Sequence, residues 1–157
     1  MNTKTMQFFF LLVSFFIIDA NKPVFSQEKT LGDALDYLNV KFQGKCKFDS
    51  KDGDLTINFF KNGKKYRTDK MEIKDLDFMS VTYSQEEGGI IIKCYETVAG
   101  CIARETELGQ QNKSYNNRIL FVYEGDEKSI QGIQNALIHA IRLIREKKYH
   151  STTPFEK

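Results

Sequence analysis

The apolar residues of this chain follow a helical period at both ends and an alternating period in between. Residues 31–42 carry apolar side chains at helical spacing after Thr30 and an early carboxylate, Asp33, which together suit a helix start. From residue 45 to residue 125 the period is close to two, as in strands with one buried face. Residues 127–147 return to helical spacing. This order predicts an α+β fold with an N-terminal helix, a central run of strands and a C-terminal amphipathic helix.

The alternating segment predicts about seven strands, mostly antiparallel. Asn62-Gly63 is its strongest local signal, because both residues tolerate the positive φ of a tight hairpin turn between strands at 55–60 and 65–68. We expect the strands to form a bent sheet or an open barrel. The other predicted strands cover residues 46–49, 78–84, 89–97, 101–108 and 118–124, with a polar linker at 109–117.

The C-terminal helix carries one apolar stripe along its length. No other element remains to cover this stripe, so the helix should pack on the sheet or in the open end of the barrel. Residues 149–157 are predicted to be a flexible tail. The stripe consists of Ile130, Ile133, Leu137, Ile141 and Ile144.

Residues 1–26 are typical of a secretory signal peptide. Lys4 precedes an uninterrupted apolar run over residues 8–18, too short to span a bilayer as a stable helix. Val24 and Ser26 are small enough for cleavage before Gln27, and a retained N-terminal anchor is the alternative. The sequence therefore predicts a single domain over residues 27–148, located in the periplasm or outside the cell, with no membrane segment in the mature chain.

The charge balance argues against nucleic-acid binding. The chain has 23 Lys and Arg against 21 Asp and Glu. The predicted signal contains Lys4, Lys22 and Asp19, which leaves the mature chain a formal charge of +1. A nucleic-acid-binding domain would instead show a strong basic excess.

Candidates for catalysis are few. A nucleophilic mechanism needs a base beside Ser or Cys, and the chain offers only His139 and His150. His139 is predicted on the solvated face of the last helix, and His150 in the tail. No ligand cluster with metal spacing accompanies them. We predict no catalytic residue, no cofactor and no metal site.

The three cysteines predict one disulfide. Cys94 and Cys101 stand on neighbouring predicted strands, and an exported protein meets oxidising conditions. Their bond is favoured if four residues, 96–99, form the loop. A three-residue turn would make that bond awkward, and Cys46 could then be the partner of either residue.

The hairpin around Asn62-Gly63 is basic and could bind an anion through Lys61, Lys64, Lys65 and Arg67. A solvated hairpin that protects a sheet edge is the alternative. Lys61, Lys65 and Arg67 are similar to the Lys-x(n)-Lys/Arg-x-Arg pattern with which some pleckstrin-homology domains hold inositol phosphates. The order of strands and terminal helix also resembles the pleckstrin-homology-like fold, and a helix-grip fold is the alternative.

These observations favour an exported, non-catalytic binding or interaction module. Its partner would be an unknown protein or small ligand in the cell envelope. The first alternative is a carrier of a small apolar ligand in a cavity between the sheet and the stripe. A small hydrolase or an enzyme inhibitor is a further alternative that no motif supports.

Overall fold

The computed structural model of the protein describes residues 29–106, 113–121 and 127–150. The predicted signal, residues 1–26, and residues 151–157 of the predicted tail lie outside these ranges. The α+β fold with a helix at each end of the strands is confirmed, although the described residues form eight strands and not about seven. The elements are α1 (Leu31–Lys41), β1 (Cys46–Lys51), β2 (Asp54–Lys61), β3 (Lys64–Met71), β4 (Leu76–Ser84), β5 (Gly89–Cys94), β6 (Ile102–Thr106), β7 (Lys113–Tyr115), β8 (Asn117–Phe121) and α2 (Glu127–His150).

Helix α1 begins with the predicted capping box. Thr30 Oγ1 accepts a hydrogen bond from the N–H of Asp33 at 3.2 Å, and the Asp33 carboxylate accepts one from the N–H of Thr30 at 2.8 Å. Two N–H groups that the first helical turn leaves free are thereby satisfied. Ala34 and Leu38 face the core. The chain turns away at Gly44, whose φ of +78° lies in the left-handed region that glycine favours.

The first sheet has five antiparallel strands in the order β1-β2-β3-β6-β7. Two tight turns build its first three strands. Asp52-Gly53 joins β1 to β2 and Asn62-Gly63 joins β2 to β3, and all four residues have positive φ, as a two-residue hairpin turn requires. The hairpin predicted at Asn62-Gly63 is confirmed.

The second sheet has three antiparallel strands in the order β4-β5-β8. The stretch predicted as a polar linker holds strand β7, because residues 113–115 pair with β6. Asn116 separates β7 from β8, and its carbonyl accepts a hydrogen bond from the N–H of Cys94 at 2.8 Å. The chain thus passes from one sheet to the other within one residue.

Helix α2 covers the core with its predicted stripe. Ile133, Leu137, Ile141 and Ile144 are buried, and Ile130 is partly buried at the beginning of the stripe. The side chains form one hydrophobic core with residues of both sheets and of α1. The helix continues through His150, beyond the predicted end at Lys147, and Lys148 binds Asp54 on β2. Neither helix in the described ranges combines the length and the apolar character needed to cross a bilayer.

Candidate anion-binding site

The inner face of the first sheet changes from apolar to charged along its strands. Residues two apart in a strand share a face, so three successive rows across β2, β3 and β6 all point toward the core. The rows are Leu55–Met71–Ile102, then Ile57–Asp69–Arg104, then Phe59–Arg67–Thr106. The first row is fully buried and apolar, whereas the next two contain an aspartate and two arginines.

Asp69 is the centre of the charged region. Its side chain is fully buried and lies against three guanidinium groups. Arg104 Nε donates a hydrogen bond to Oδ1 at 3.0 Å, and Arg67 Nε lies 3.4 Å from the same oxygen. Arg118 Nε lies 3.0 Å from Oδ2 as an ion pair without hydrogen-bond alignment. We call Arg67, Asp69, Arg104 and Arg118 the arginine cluster.

The arginine cluster joins the two sheets. Arg67 and Arg104 belong to β3 and β6 of the first sheet, while Arg118 belongs to β8 of the second. Arg118 lies opposite Ile92 and shares the inner face of its sheet with buried Ile90 and Leu120. It therefore reaches Asp69 across the space between the sheets.

Aromatic rings hold the guanidinium groups in place. The Arg67 and Arg118 guanidinium carbons lie 3.9 and 4.6 Å from the centre of the Phe59 ring, and that of Arg104 lies 4.1 Å from the centre of the Tyr115 ring. Such stacking attracts the cation to the ring face and limits the motion of the side chain. The cluster is thus a set of pre-positioned, partly shielded cations.

The charges of the cluster do not balance within the described residues. Three guanidinium groups surround one carboxylate, which leaves a surplus of two positive charges. Burial and the neighbouring Arg67 lower the pKa of Arg118, although Asp69 acts in the opposite direction. Because arginine stays protonated near neutral pH, the lowered pKa reflects first the cost of burying this cation and then that of placing it beside another.

Some donors of the cluster also lack acceptors in the described ranges. Arg67 Nε is buried without a hydrogen-bond partner there, and so is the hydroxyl of Thr106, which pairs with Arg67 across the strands. The three arginine side chains keep exposed fractions between 14% and 20%, so part of each side chain reaches solvent. An anion could approach from that side.

The basic hairpin predicted from the sequence divides into two parts. Lys61, Lys64 and Lys65 are exposed at its tip, whereas Arg67 turns inward to the cluster. A bulge causes this change of direction: Phe59 pairs with Arg67 and Phe60 with Lys65, so Tyr66 has no opposite residue. Binding of an anion by the hairpin stays a prediction.

Sequence reasoning missed Asp69, Arg104 and Arg118. A signal was present for the first two, because Asp69 and Arg104 stand two residues from Met71 and Ile102, at inward positions of their strands. Charged residues at such positions are rare unless they are paired. Arg118 gave no comparable signal, since its position depends on how the second sheet packs on the first.

The cysteines follow the favoured prediction in the structure. Cys94 and Cys101 form a disulfide with their Cα atoms 5.8 Å apart, and Cys46 is a free, buried thiol. Burial raises the pKa of Cys46 to about 12, although Arg118, Lys45 and Arg67 each act to lower it. A thiol with so high a pKa is protonated and weakly nucleophilic at neutral pH.

The two histidines lie apart from the cluster, on α2. His139 Nε2 lies 2.5 Å from the carbonyl oxygen of Lys29, and its Nδ1 lies 3.2 Å from Nη2 of Arg142. His150 is the last residue of α2. Within residues 29–106, 113–121 and 127–150, no three His, Cys, Asp or Glu side chains are grouped as metal ligands.

Comparisons with protein-family models, with curated proteins and with solved structures found no match to this chain. The pleckstrin-homology-like relationship therefore stays a prediction.

Proposed function

We propose that the protein is an exported, non-catalytic binding module of the cell envelope and that it binds an anionic group at the arginine cluster. The observation that carries this proposal is the surplus of two positive charges around Asp69 among the residues that the structure describes. One guanidinium group suffices to neutralise a buried carboxylate. Two further cations in the same partly buried place oppose folding unless a counter-charge joins them.

The chemistry of the cluster suits binding better than catalysis. Arginine side chains stay protonated at neutral pH, so they do not exchange protons as a general acid or base must. Their planar, multi-donor groups instead match the oxygens of carboxylates and phosphates. Stacking on Phe59 and Tyr115 fixes them before a ligand arrives, which lowers the entropy lost on binding.

Export is supported by two features of the chain. Residues 1–26 have the charge and apolar pattern of a signal peptide. The Cys94–Cys101 disulfide is typical of proteins that fold under oxidising conditions.

The test is a titration of the protein with small anions in a zwitterionic buffer, followed by calorimetry and by thermal denaturation. Arg67→Gln removes one surplus charge and leaves the closer Asp69 contacts of Arg104 and Arg118 in place. Loss of one charge-assisted hydrogen bond should weaken anion binding about tenfold or more. Arg142→Gln is the matched control, because Arg142 is exposed on α2.

We expect the control to bind anions like the original protein. Equal binding by Arg67→Gln would place the anion elsewhere, and no binding by the folded protein would overturn the proposal. An apolar fluorescent ligand that binds while anions have no effect would favour the carrier alternative.

A further inference from the structure

We infer that the arginine cluster takes a tetrahedral dianion, namely a phosphate group that is free or in a phosphomonoester. This inference rests on the proposed function and specifies its ligand. It follows from the charge of the cluster, the number and direction of its donors, and the basic surface next to it.

The charge count selects a dianion. A monoanion such as acetate would leave one of the two surplus charges uncompensated within the described residues. A phosphomonoester carries a charge of about −1.5 to −2 near pH 7 and balances them. In a partly buried place, where charges are weakly screened, the difference between one and two negative charges on the ligand strongly affects its affinity.

The donors of the cluster also exceed what a carboxylate can accept. Each arginine contacts Asp69 through Nε, so the N–H groups on its Nη atoms are not used by that carboxylate. A carboxylate ligand offers two oxygens in one plane, whereas a phosphomonoester offers three terminal oxygens in three directions. Because the arginines come from three strands in two sheets, their donors approach from different directions, which suits the tetrahedral group.

The surface next to the cluster is basic as well. Lys64 is exposed on the strand that carries Arg67, and exposed Lys113 lies opposite Arg104 in the register. Such a surface attracts anions and raises their association rate. Tyr66 is 42% exposed and its ring lies 5.5 Å from the Arg67 guanidinium carbon. That ring offers a contact for the organic part of a phosphomonoester.

The experiment compares ligands that differ in charge or in shape at pH 7.5. Inorganic phosphate and glycerol 3-phosphate are tetrahedral and mainly dianionic at this pH, dimethyl phosphate is a tetrahedral monoanion, and acetate and succinate supply planar carboxylates. We expect both phosphates to bind at least about tenfold more tightly than dimethyl phosphate, acetate or succinate. Tighter binding of glycerol 3-phosphate than of inorganic phosphate identifies a phosphomonoester, and the reverse identifies the free ion.

Asp69→Asn provides a second test with a change in the opposite direction. Asparagine keeps a side-chain oxygen for Arg104 but removes the only carboxylate among the described contacts of the cluster, which raises the surplus from two charges to three. Phosphate should then bind more tightly by about tenfold and raise the melting temperature more than in the original protein. Arg67→Gln should bind phosphate more weakly, and phosphate should raise its melting temperature less than that of the original protein. Arg142→Gln should change neither the affinity nor the rise in melting temperature.

The outcomes separate this inference from the proposed function. Equal affinities for acetate and phosphate would overturn the phosphate assignment and leave anion binding intact. No binding of any of the five ligands by the folded protein would overturn both. If Asp69→Asn does not fold, the ratio of phosphate to acetate affinity in the original protein and in Arg67→Gln decides the matter.

Discussion

Asp54, at the beginning of β2, is connected to the C-terminal helix by a charged hydrogen bond. Lys148 Nζ donates to Asp54 Oδ1 at 2.9 Å, and Lys70 Nζ lies 3.4 Å from Oδ2. Burial acts to raise the pKa of Asp54, but hydrogen bonds from Lys148 and from the N–H of Ile73 outweigh it and lower the pKa. Its ionised form therefore stabilises the fold above the unfolded-state pKa of about 3.9, and this contribution is lost as the pH falls through the folded-state value.

Asp54→Asn should lower the free energy of unfolding at pH 7 by about 1–3 kcal/mol, because the helix loses a charge-assisted hydrogen bond. Urea denaturation measures the free energy of unfolding of both proteins. The difference between them should shrink as the pH falls below about 4, since Asp54 of the original protein then takes up a proton. Asp36→Asn, at an exposed position of α1, should change stability little at either pH. A loss that is the same at both pH values would contradict a role for the charge.

At the scale of the element, helix α2 stabilises the fold through its buried apolar stripe. Leu137 is fully buried at the middle of the helix, in the core shared with both sheets. Leu137→Ala should lower the free energy of unfolding by about 2–5 kcal/mol, through the lost apolar contacts and the cavity left behind. Val40→Ala is the control, because Val40 is 71% exposed on α1. A loss below about 0.5 kcal/mol at Leu137, as at surface positions, would contradict the observed packing.

The elements could be predicted from the sequence because their signals are local. Thr30 with Asp33 marks the beginning of α1, Asn62-Gly63 marks a hairpin, and the stripe around Leu137 marks the buried face of α2. Strand β7 could not be predicted, since its three residues, Lys113–Tyr115, become a strand only by pairing with β6. The arginine cluster likewise depends on the pairing of strands that lie far apart in the sequence. Asp69 meets Arg104 through the pairing of β3 with β6, and this pairing joins segments 35 residues apart.

At the scale of the whole molecule, a disulfide and an ion pair of the described residues connect the two sheets. The Cys94–Cys101 disulfide joins the end of β5 in the second sheet to the residue before β6 in the first. Arg118 of the second sheet meets Asp69 of the first. The proposed anion binding at the cluster would therefore depend on the relative position of the sheets, and an anion bound there should strengthen their association.

The disulfide itself should contribute modestly to stability. It closes a short loop, with a sequence separation of 7, so the entropy it removes from the unfolded chain corresponds to about 2–3 kcal/mol at most. Reduction should lower the melting temperature while circular dichroism at room temperature stays that of the folded protein. Cys46→Ala, which keeps the disulfide, should respond to reductant in the same way.

Peptide mapping without reductant should link Cys94 to Cys101. Cys46 should react with an alkylating agent only after denaturation, because it is buried and its pKa is about 12. Unfolding on reduction would contradict the modest contribution of the disulfide, and Cys46 linked to either partner would contradict the observed connection between the sheets.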